Sequence, residues 1–346
     1  MGSVKDLIII EKPTAERSGR GRFVFSDRYS VFDWGEMPDH IDGKGAALCL
    51  VSAWYFEQLE ARGWKTHYRG LVSGTSVMSL DTVTGPVDTM EVSLYRVISP
   101  LRTENGYDYA PLAGVKANVL VPLEVIYRFS LPPGSSVFKR LASGQASPED
   151  FGLDHMPTPG ETLPAPILDF STKLEETDRY LTRDEARALS GLTDERFEEL
   201  CAKSLALAEL IRETMAKHGI TNEDGKFEFA LDETGNIVLV DAVGTPDECR
   251  FTVRGLPFSK ELARSYYRKT AWYREVEEAK ARDFLNWKTL VDARPEPLPG
   301  DLKQVISWIY QSLANELVGR RIFDGVPALS EVLDSLEAIR ATYDLE

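Results

Sequence analysis

The sequence predicts an α+β protein of two lobes, and the order of its elements is the main reason. Residues 1 to about 131 have the pattern of strands and turns, whereas the chain becomes helical after Thr182. Strands that precede helices, rather than alternating with them, are typical of α+β folds and argue against a doubly wound sheet. At 346 residues the chain can bury two cores that meet at a cleft. We therefore expect an N-terminal, mainly β lobe over 1–121 and a C-terminal α+β lobe over 122–346 that ends in a helical extension.

The first lobe begins with two short apolar runs, 6–10 and 22–25, which predict strands on either side of a polar loop. That loop ends in Ser-Gly-Arg-Gly at 18–21, which could bind phosphate through backbone amides. It lacks a lysine and a following helix, so a plain turn is the favoured interpretation. Helical spacing of apolar residues then predicts a helix over 44–62, which ends at Gly63. The other strands predicted in this region lie at 89–99 and 119–129.

The rest of the chain is predicted to be a long loop followed by helices and one hairpin. The stretch 132–166 is rich in Pro, Gly and Ser and is expected to run irregularly over the surface. Such a length usually indicates a binding role or mobility. Thr182 and Glu185 have the spacing of a capping box, and Gly191 fits the end of the helix that they begin. Further helices are predicted at 194–218, 260–284, 301–317 and 329–343.

Composition and charge limit the classes of function. The net charge of −15 argues against a nucleic-acid or anionic-membrane surface, because both need a basic field, although a nucleotide can still bind in a locally basic cleft. Cys49, Cys201 and Cys249 are widely spaced and predict reduced, buried thiols rather than disulfides or a zinc site. No signal-peptide pattern is visible, and the most apolar run, 46–56, is about half the length that crosses a bilayer. We expect a soluble, cytoplasmic protein.

The most informative segment is a predicted hairpin over 226–241, Lys-Phe-Glu-Phe-Ala-Leu-Asp, Glu-Thr-Gly-Asn and Ile-Val-Leu-Val-Asp. A turn centred on its Thr-Gly bond would place Glu228 directly opposite Asp241. Like charges in that position are destabilising unless they are compensated, and a Mg²⁺ ion held by carboxylates, water and phosphates would compensate them. Lys226 would lie on the same face, within reach of a phosphate or carboxylate. A solvated face with Lys226 as a surface partner is an equally open interpretation.

The segment that follows, Gly-Thr-Pro-Asp-Glu-Cys-Arg-Phe at 244–251, favours a functional interpretation over a plain loop. Turn residues bring Asp247 and Arg250 close behind Asp241. The guanidinium of Arg250 can hold a phosphate or a carboxylate through two parallel hydrogen bonds. The clustering of these groups, more than any one of them, indicates a site.

These motifs resemble those of SAICAR synthetases. Lys226-Phe-Glu-Phe and the segment from Asp241 to Phe251 are similar to the family's Lys-x-Glu-Phe-Gly and Asp-Glu…Ser/Thr-Pro-Asp-x-x-Arg motifs. Further segments follow in the family's order over residues 2 to about 252. They are Gly2-Ser-Val-Lys-Asp-Leu; Ser26 to Asp33 with Gly43-Lys-Gly; Pro122 to Arg128 with Gly134-Ser-Ser and Lys139-Arg-Leu; and Pro166 to Tyr180, with Lys173 and Asp178.

The resemblance implies an enzyme that joins L-aspartate to the carboxylate of CAIR with ATP and Mg²⁺, giving SAICAR, ADP and phosphate through an acyl phosphate. It also implies a fold related to ATP-grasp enzymes, with ATP between the lobes. Either Asp33 or Asp247 would accept the amine proton. The implied site residues are Lys5, Glu228 and Asp241 for ATP, with the two acids also for Mg²⁺; Ser30, Arg128, Ser135 and Arg250 for the substrate; and Asp33, Lys44, Lys226 and Asp247 for catalysis.

Some positions depart from the family's pattern. Ser3 stands where a lysine is usual, Ala242 replaces a glutamate, and a longer loop leaves Ser135 and Ser136 as alternatives for the family serine. A related amide ligase with a different acid or amine is therefore the alternative function, and a non-catalytic nucleotide-binding or kinase-like protein is another. Four aromatic residues at helical spacing indicate packing or a homo-oligomer surface. These are Tyr266, Tyr267, Trp272 and Tyr273.

Overall fold

The structure is a computed structural model that describes residues 4–104, 106–284 and 286–345. It mixes helices and sheets, as predicted, and its named strand pairs are all antiparallel. The strands are β1 (Lys5–Glu11), β2 (Gly19–Phe25), β3 (Tyr68–Ser73), β4 (Ser76–Met78), β5 (Thr89–Leu94), β6 (Leu101–Thr103), β7 (Gly106–Asp108), β8 (Val119–Leu120), β9 (Leu123–Leu131), β10 (Glu161–Thr172), β11 (Tyr180–Leu181), β12 (Thr221–Leu231), β13 (Ile237–Val240), β14 (Cys249–Val253) and β15 (Leu256–Pro257).

The helices follow the predicted order, with most of them in the C-terminal half. They are α1 (Lys44–Glu60), α2 (Ser136–Ala142), α3 (Arg183–Ser190), α4 (Asp194–Ala216), α5 (Glu261–Tyr267), α6 (Ala271–Arg282), α7 (Gly300–Val318) and α8 (Leu329–Tyr343). Within the described residues, none of them is both long and apolar enough to span a bilayer.

The first sheet has the strand order β1-β2-β5-β3-β4. Helix α1 packs against β2, β3 and β5 on one side and against α7 on the other. Because a helix covered on both sides needs apolar residues all round, its sequence is almost continuously apolar, and Leu50, Ala53 and Phe56 are fully buried. The first sheet and the C-terminal helices therefore share one core through α1.

The second sheet has the order β11-β10-β9-β12-β14-β15, with β8 and β13 also pairing with β12. One of its faces is apolar and packs against α4. This face carries Val125, Tyr127 and Phe129 from β9 and Phe227 and Phe229 from β12, all buried. The rings of Tyr127 and Phe227 stack with centroids 4.8 Å apart. Because side chains alternate along a strand, the residues between these ones point to the opposite face.

Several predicted features are confirmed. The side chain of Thr182 caps α3 by accepting a hydrogen bond from the amide of Glu185, as the capping box requires. The three cysteines are free and buried. The aromatic residues of the C-terminal half pack, since Tyr267 and Trp272 are buried and their neighbours Tyr266 and Tyr273 lie against the same core.

The predicted register of the hairpin is wrong by one residue, because Glu228 pairs with Val240 rather than with Asp241. The turn is centred on Thr234 and not on the bond between Thr234 and Gly235. The carboxylate of Asp232 accepts hydrogen bonds from the amides of Thr234 and Asn236, and Gly235 adopts a φ of 78°. A three-residue turn with a left-handed glycine is thus more stable here than the symmetric turn that was predicted.

Three other predictions are corrected by the structure. Residues 19–21 belong to β2 and not to a turn, since glycine lets this strand lie close against the backbone of β1. The stretch 132–166 contains α2 and the start of β10, whose Pro-Ala-Pro sequence falls on an irregularity in the pairing, as expected where proline removes backbone donors. The helix predicted at 260–284 is two helices, because Thr270 caps the start of α6.

Gly244 offers a test of the packing beneath the loop between β13 and β14. It has a φ of 68°, and an added Cβ would overlap the ring of Tyr55 on α1. We expect Gly244→Ala to lower the free energy of unfolding by about 2–4 kcal/mol, from the left-handed backbone and the overlap together. Gly63→Ala is the matched control, since Gly63 has a φ of 79° but open space around it. Gly63→Ala should lower the free energy of unfolding by about 1 kcal/mol in the same denaturant titration. Equal losses in the two variants would show that the Tyr55 ring moves to accommodate the added methyl group.

Candidate active site

The polar face of the second sheet carries four of the predicted site residues, Arg128, Lys226, Glu228 and Arg250. Asp224, Lys226 and Glu228 alternate along β12 and therefore share one face. On β9 the same face carries Glu124 and Arg128, since Arg128 pairs directly with Asp224. The central strand and its neighbours thus bring acidic and basic groups together on the side of the sheet opposite to α4.

A row of alternating charges crosses three strands of this face. Arg128 and Arg250 flank Asp224 in the pairing of β9, β12 and β14. Nη1 of Arg128 donates to Oδ2 of Asp224 at 3.1 Å, and Nε of Arg250 donates to Oδ1 of the same carboxylate at 2.7 Å. Buried charges require partners of opposite sign, and Asp224, only 4% exposed, supplies one for both arginines.

Further contacts enclose Arg128, which is 1% exposed. Its Nη2 donates to Oδ2 of Asp169 at 2.9 Å, and Arg140 donates to the same oxygen at 2.6 Å. The hydroxyls of Ser135 and Ser136 each lie 3.4 Å from the guanidinium. Ser135 also caps α2, which places it firmly. The structure therefore brings together Arg128, Ser135 and Arg250, which were predicted to bind the substrate. Both Ser135 and Ser136 contact Arg128.

A cavity of about 1070 Å³ borders this arginine-rich end. It lies between β10 and α4, and Arg140, Asp169, Asp178 and Tyr180 are among the residues that line it. The guanidinium of Arg140 lies 4.2 Å from the centroid of the Tyr180 ring. The cavity does not extend to the Lys5 end of the site.

The next group consists of two lysines and three glutamates around them. Nζ of Lys173 lies 2.6 Å from Oε1 of Glu228 and 3.2 Å from Oε1 of Glu124. Nζ of Lys226 lies 3.0 Å from Glu124 and 3.6 Å from Glu248. Burial disfavours the charged form of Lys226, but Glu248 and the other carboxylates reverse this and hold its pKa well above the ordinary value.

Asp241 follows β13 in a left-handed conformation, with a φ of 68°. Its carboxylate forms an ion pair with Lys5 of the first sheet. Nε2 of His67 donates to the backbone oxygen of Asp241 at 3.1 Å. Burial would raise the pKa of Asp241, but Lys5 more than offsets this, so that the pKa lies below its ordinary value.

Glu228 and Asp241 interact electrostatically although they are not paired in the hairpin. Burial, and then the charge of Asp241, raise the pKa of Glu228 from 4.5 to about 8 in spite of Lys173. Burial and Asp241 together therefore outweigh the two lysines that favour the ionised form of Glu228. Within the described chain no group of three or more His, Cys, Asp or Glu side chains is arranged to hold a metal ion. A cation here would have at most these two carboxylates from the protein.

Lys44 and Asp247 form a third, fully buried group. Nζ of Lys44 lies 2.8 Å from Oδ2 of Asp247, and the hydroxyl of Tyr310 donates to the other carboxylate oxygen at 2.7 Å. Burial alone would raise the pKa of Asp247, yet Lys44 and then Lys260 lower it to about 2. The backbone of the loop before Lys44 is held by Asp27, which accepts from Gly43 and Gly45.

Two predicted residues stand apart from these groups. Asp33 is exposed, has a φ of 61° and bonds to Lys280 of α6 at 3.1 Å. Its charge nevertheless contributes to the raised pKa of Asp178, which burial and Glu124 raise most. Ser30 accepts a long hydrogen bond, 3.4 Å, from the amide of Gly35.

Two further positions concern the departures from the family's pattern. Ser3, with the first residues of the predicted phosphate loop, lies outside the described residues. Ala242 is buried directly after Asp241.

Sequence reasoning missed several partners in the site. No sequence pattern indicated Asp169, Asp224 or Tyr310 as site residues, Glu124 was not among the predicted ones, and Lys173 appeared only within a family motif. A signal existed for Glu124, since Glu124 and Arg128 are the charged residues of an otherwise almost apolar strand and have the spacing that shares a face. Tyr310 lies 63 residues from its partner Asp247, and no local pattern connects them.

Comparisons with known proteins agree on one family. The chain matches the SAICAR synthetase family over residues 2–280. It is 51% identical to an Archaeoglobus fulgidus protein provisionally named phosphoribosylaminoimidazole-succinocarboxamide synthase, and the match covers 98% of this chain and 99% of that protein. The enzyme of that name from Thermoplasma acidophilum is 33% identical, with 86% of this chain and 93% of the other covered.

Two solved structures are similar in fold. SAICAR synthase from Saccharomyces cerevisiae, complexed with SAICAR, has a TM-score of 0.63 at 21% identity and covers 93% of this chain and 94% of its own. A type-2 SAICAR synthetase in complex with ADP has a TM-score of 0.55 at 24% identity, with coverage of 86% and 99%.

The raised pKa of Glu228 predicts a pH-dependent stability. Between pH 4.5 and about 8 the folded state binds more protons at this residue than the unfolded state does, so the free energy of unfolding falls as the pH rises. Glu228→Gln removes this titration. The variant should therefore gain stability relative to the wild type by more than about 1 kcal/mol across this range, since one pKa unit corresponds to about 1.4 kcal/mol.

Denaturant titrations at a series of pH values measure this difference. Glu337→Gln, at an exposed position paired with Arg254, is the control and should leave the difference from the wild type nearly constant. A Glu228→Gln variant whose relative stability does not change with pH would show that Glu228 ionises normally.

Proposed function

Because the chain belongs to the SAICAR synthetase family, we propose that it joins L-aspartate to the carboxylate of CAIR, converting ATP to ADP and phosphate. The observation that supports this most is the polar face of the second sheet, where Glu228 and Asp241 lie among Lys5, Lys173 and Lys226. Carboxylates for a cation and ammonium groups for phosphates are what ATP-dependent phosphoryl transfer requires.

In this proposal Glu228 and Asp241 hold Mg²⁺. The donor set fits, because Mg²⁺ is commonly bound by one or two carboxylates with water and substrate phosphates completing its shell. Burial and the charge of Asp241 both disfavour the ionised form of Glu228, and a bound cation would favour it. When bound, Mg²⁺ neutralises charge on the phosphates of ATP. Lys5 and Lys173, which now pair with these carboxylates, would then be available to the phosphate oxygens.

We further propose that ATP lies between the lobe 1–121 and the lobe 122–346, in a fold related to ATP-grasp enzymes. Lys5 belongs to the first sheet and Asp241 follows a strand of the second. Their ion pair spans the two sheets. A nucleotide held by both residues would therefore occupy the boundary between the lobes.

The arginine row is proposed to hold the phosphate of CAIR. Arg250 is the better direct contact, since its side chain is 22% exposed whereas that of Arg128 is 2% exposed. Arg128 would not contact the phosphate itself. It would position Asp224 and the loop that carries Ser135, to which it donates hydrogen bonds. A guanidinium suits this role because it can donate two parallel hydrogen bonds to phosphate oxygens.

The chemical step needs an electrophile and a proton acceptor. Transfer of the γ-phosphoryl group to the CAIR carboxylate gives an acyl phosphate, which the aspartate amine attacks as phosphate leaves. Asp33 is the better proton acceptor, because both oxygens of Asp247 are already bonded to Lys44 and Tyr310 and its pKa is lowered to about 2. Lys44 and Asp247 are then proposed to position neighbouring groups, with Ser30 near the substrate.

Release of ADP with CAIR and L-aspartate, compared with other acid and amine pairs, tests the proposed function. Turnover with CAIR and aspartate supports it, whereas turnover with another pair only would indicate the related amide ligase. Absence of ADP release with every pair, under conditions where the folded protein binds ATP, would indicate a non-catalytic nucleotide-binding protein.

The metal assignment predicts that Glu228→Gln and Asp241→Asn each lower kcat by about 10²–10³-fold, because charge on the phosphates is no longer neutralised. The same variants should lose the Mg²⁺-dependent part of ATP binding, measured by calorimetry. Asp232→Asn, which changes a carboxylate of the same hairpin at its far end, should retain the Mg²⁺ dependence. Normal kcat in both site variants would refute the assignment.

The phosphate assignment predicts that Arg250→Lys raises the KM for CAIR about tenfold or more while the KM for ATP changes little, since lysine cannot form the two parallel bonds. Arg254→Lys is the matched control on the same segment, because its partners Asp334 and Glu337 are on the exposed surface. Steady-state kinetics with each substrate varied in turn would distinguish the two. An equal change in both KM values would indicate a general structural effect.

A further inference from the structure

Helix α7 presents three polar side chains on one face, although it packs against α1 and α8 in the core. These are Ser307, Tyr310 and Gln311, which lie three and four residues apart and are therefore neighbours on the helix surface. Ser307 and Tyr310 are buried, at 3% and 1% exposed. Buried polar groups require hydrogen-bond partners, and here the partners belong to two loops of the candidate site. The helix is C-terminal to the residues that match the family.

One of these loops leads into α1. Oγ of Ser307 donates to the backbone oxygen of Asp42 at 2.7 Å, and Nε2 of Gln311 donates to the same oxygen at 2.6 Å. Gly43 follows with a φ of 72°, and a Cβ added there would lie 2.6 Å from Nε2 of Gln311. The helix therefore fixes the backbone directly before Lys44, the first residue of α1.

Tyr310 contacts both members of the buried ion pair. Its hydroxyl donates to Oδ1 of Asp247 at 2.7 Å. Nζ of Lys44 lies 2.8 Å from Oδ2 of Asp247 and 5.6 Å from the centroid of the Tyr310 ring, where the face of the ring attracts a cation. Removing the hydroxyl would leave one oxygen of a buried carboxylate without this donor, which is costly where water cannot replace it.

The ion pair in turn joins two segments that carry proposed site residues. Nζ of Lys44 donates to the backbone oxygen of Arg28 at 3.2 Å, in the segment that continues to Asp33. Asp247 belongs to the segment between β13 and β14, and Arg250 follows it on β14. The position of the pair therefore determines how a segment of the first lobe lies relative to a segment of the second.

We propose that α7 positions the active site, with Tyr310 acting on Lys44 and Asp247, and Gln311 acting on the loop before Lys44. A helix that only completed the core could make apolar contacts instead, since replacing both partners of a buried polar contact by apolar groups is often close to neutral in stability. The polar contacts therefore indicate a requirement for placement. The catalytic part of this inference rests on the proposed function.

Hydrogen exchange measured by mass spectrometry tests the positioning. Tyr310→Phe keeps the ring and removes the hydroxyl. Amides in the segments 43–47 and 245–249 should then exchange about tenfold faster, because the bond that restrains both segments is lost. Gln311→Ala, at a half-buried position, should accelerate exchange in 43–47 alone, since its side chain bonds to that loop and not to Asp247. It tests the loop independently of any loss of folding in Tyr310→Phe.

Tyr343→Phe is the matched control for the lost hydroxyl. Tyr343 donates to the carboxylate of Asp301 at 2.6 Å, on the exposed surface of the same C-terminal extension, and its substitution should leave exchange in both segments at the wild-type rate. Two results with Tyr310→Phe would overturn the positioning role. Unchanged exchange in both segments would show that the hydroxyl restrains neither, and an equal increase throughout the chain would show a general loss of stability.

Steady-state kinetics test the consequence for catalysis. With whichever acid and amine the wild type couples, Tyr310→Phe should lower kcat about tenfold, because small displacements of groups in an active site slow the reaction strongly. Calorimetry should still find as many ATP sites per chain as in the wild type, whereas a merely structural defect would lower kcat and the number of sites in proportion. Tyr343→Phe should retain the wild-type kcat.

The two measurements separate failure of this inference from failure of the proposed function. Wild-type kcat in Tyr310→Phe, together with faster exchange, would overturn the catalytic part of the inference. A wild type that couples no acid and amine would overturn the proposed function, and hydrogen exchange would still decide whether α7 positions the ion pair.

Discussion

The register of three antiparallel strands determines the candidate site. Pairing of β9, β12 and β14 places Arg128, Asp224 and Arg250 in one row, and each charge in that row is satisfied by the next. A shift of one residue in any of these strands would move its charged side chains to the face covered by α4 and would leave the remaining ones buried without partners. The apolar and the charged faces therefore enforce the same register, and the positions of Lys226 and Glu228 follow from it.

The sequence predicted the fold well where a local pattern determines the element. Periodicity and capping located α1, α3, α4, α7 and α8, since each has its own apolar stripe or cap. It failed where two local rules compete. In β10 the Pro-Ala-Pro sequence suggests a loop, but pairing with β9 on both sides of the irregularity keeps this segment in the sheet. The hairpin turn was displaced because the bonds of the Asp232 carboxylate to the turn amides are not visible in a pattern of apolar residues.

The site was predictable where its residues lie on one segment and unpredictable where they come from several. Lys226, Glu228, Asp241, Asp247 and Arg250 fall within 25 residues, and their chemistry could be recognised from spacing. Their partners are long-range, and an ion pair contributes no periodic signal that would identify its second member. The error in the predicted register did not remove the predicted interaction between Glu228 and Asp241. Asp241 follows the strand in a left-handed conformation, and its charge still raises the pKa of Glu228.

The junction between the two sheets explains how Lys5 and Asp241 keep their positions. His67 joins the two sheets through its backbone, because its amide donates to Leu239 of β13 and its carbonyl accepts from Ser93 of β5. Its ring donates to the backbone oxygen of Asp241. Burial lowers the pKa of His67 to about 4, so the ring is neutral at neutral pH. The backbone of Asp241 is therefore held by hydrogen bonds between neutral groups, which do not involve the charge of its carboxylate. A cation bound at this carboxylate would leave those hydrogen bonds unchanged.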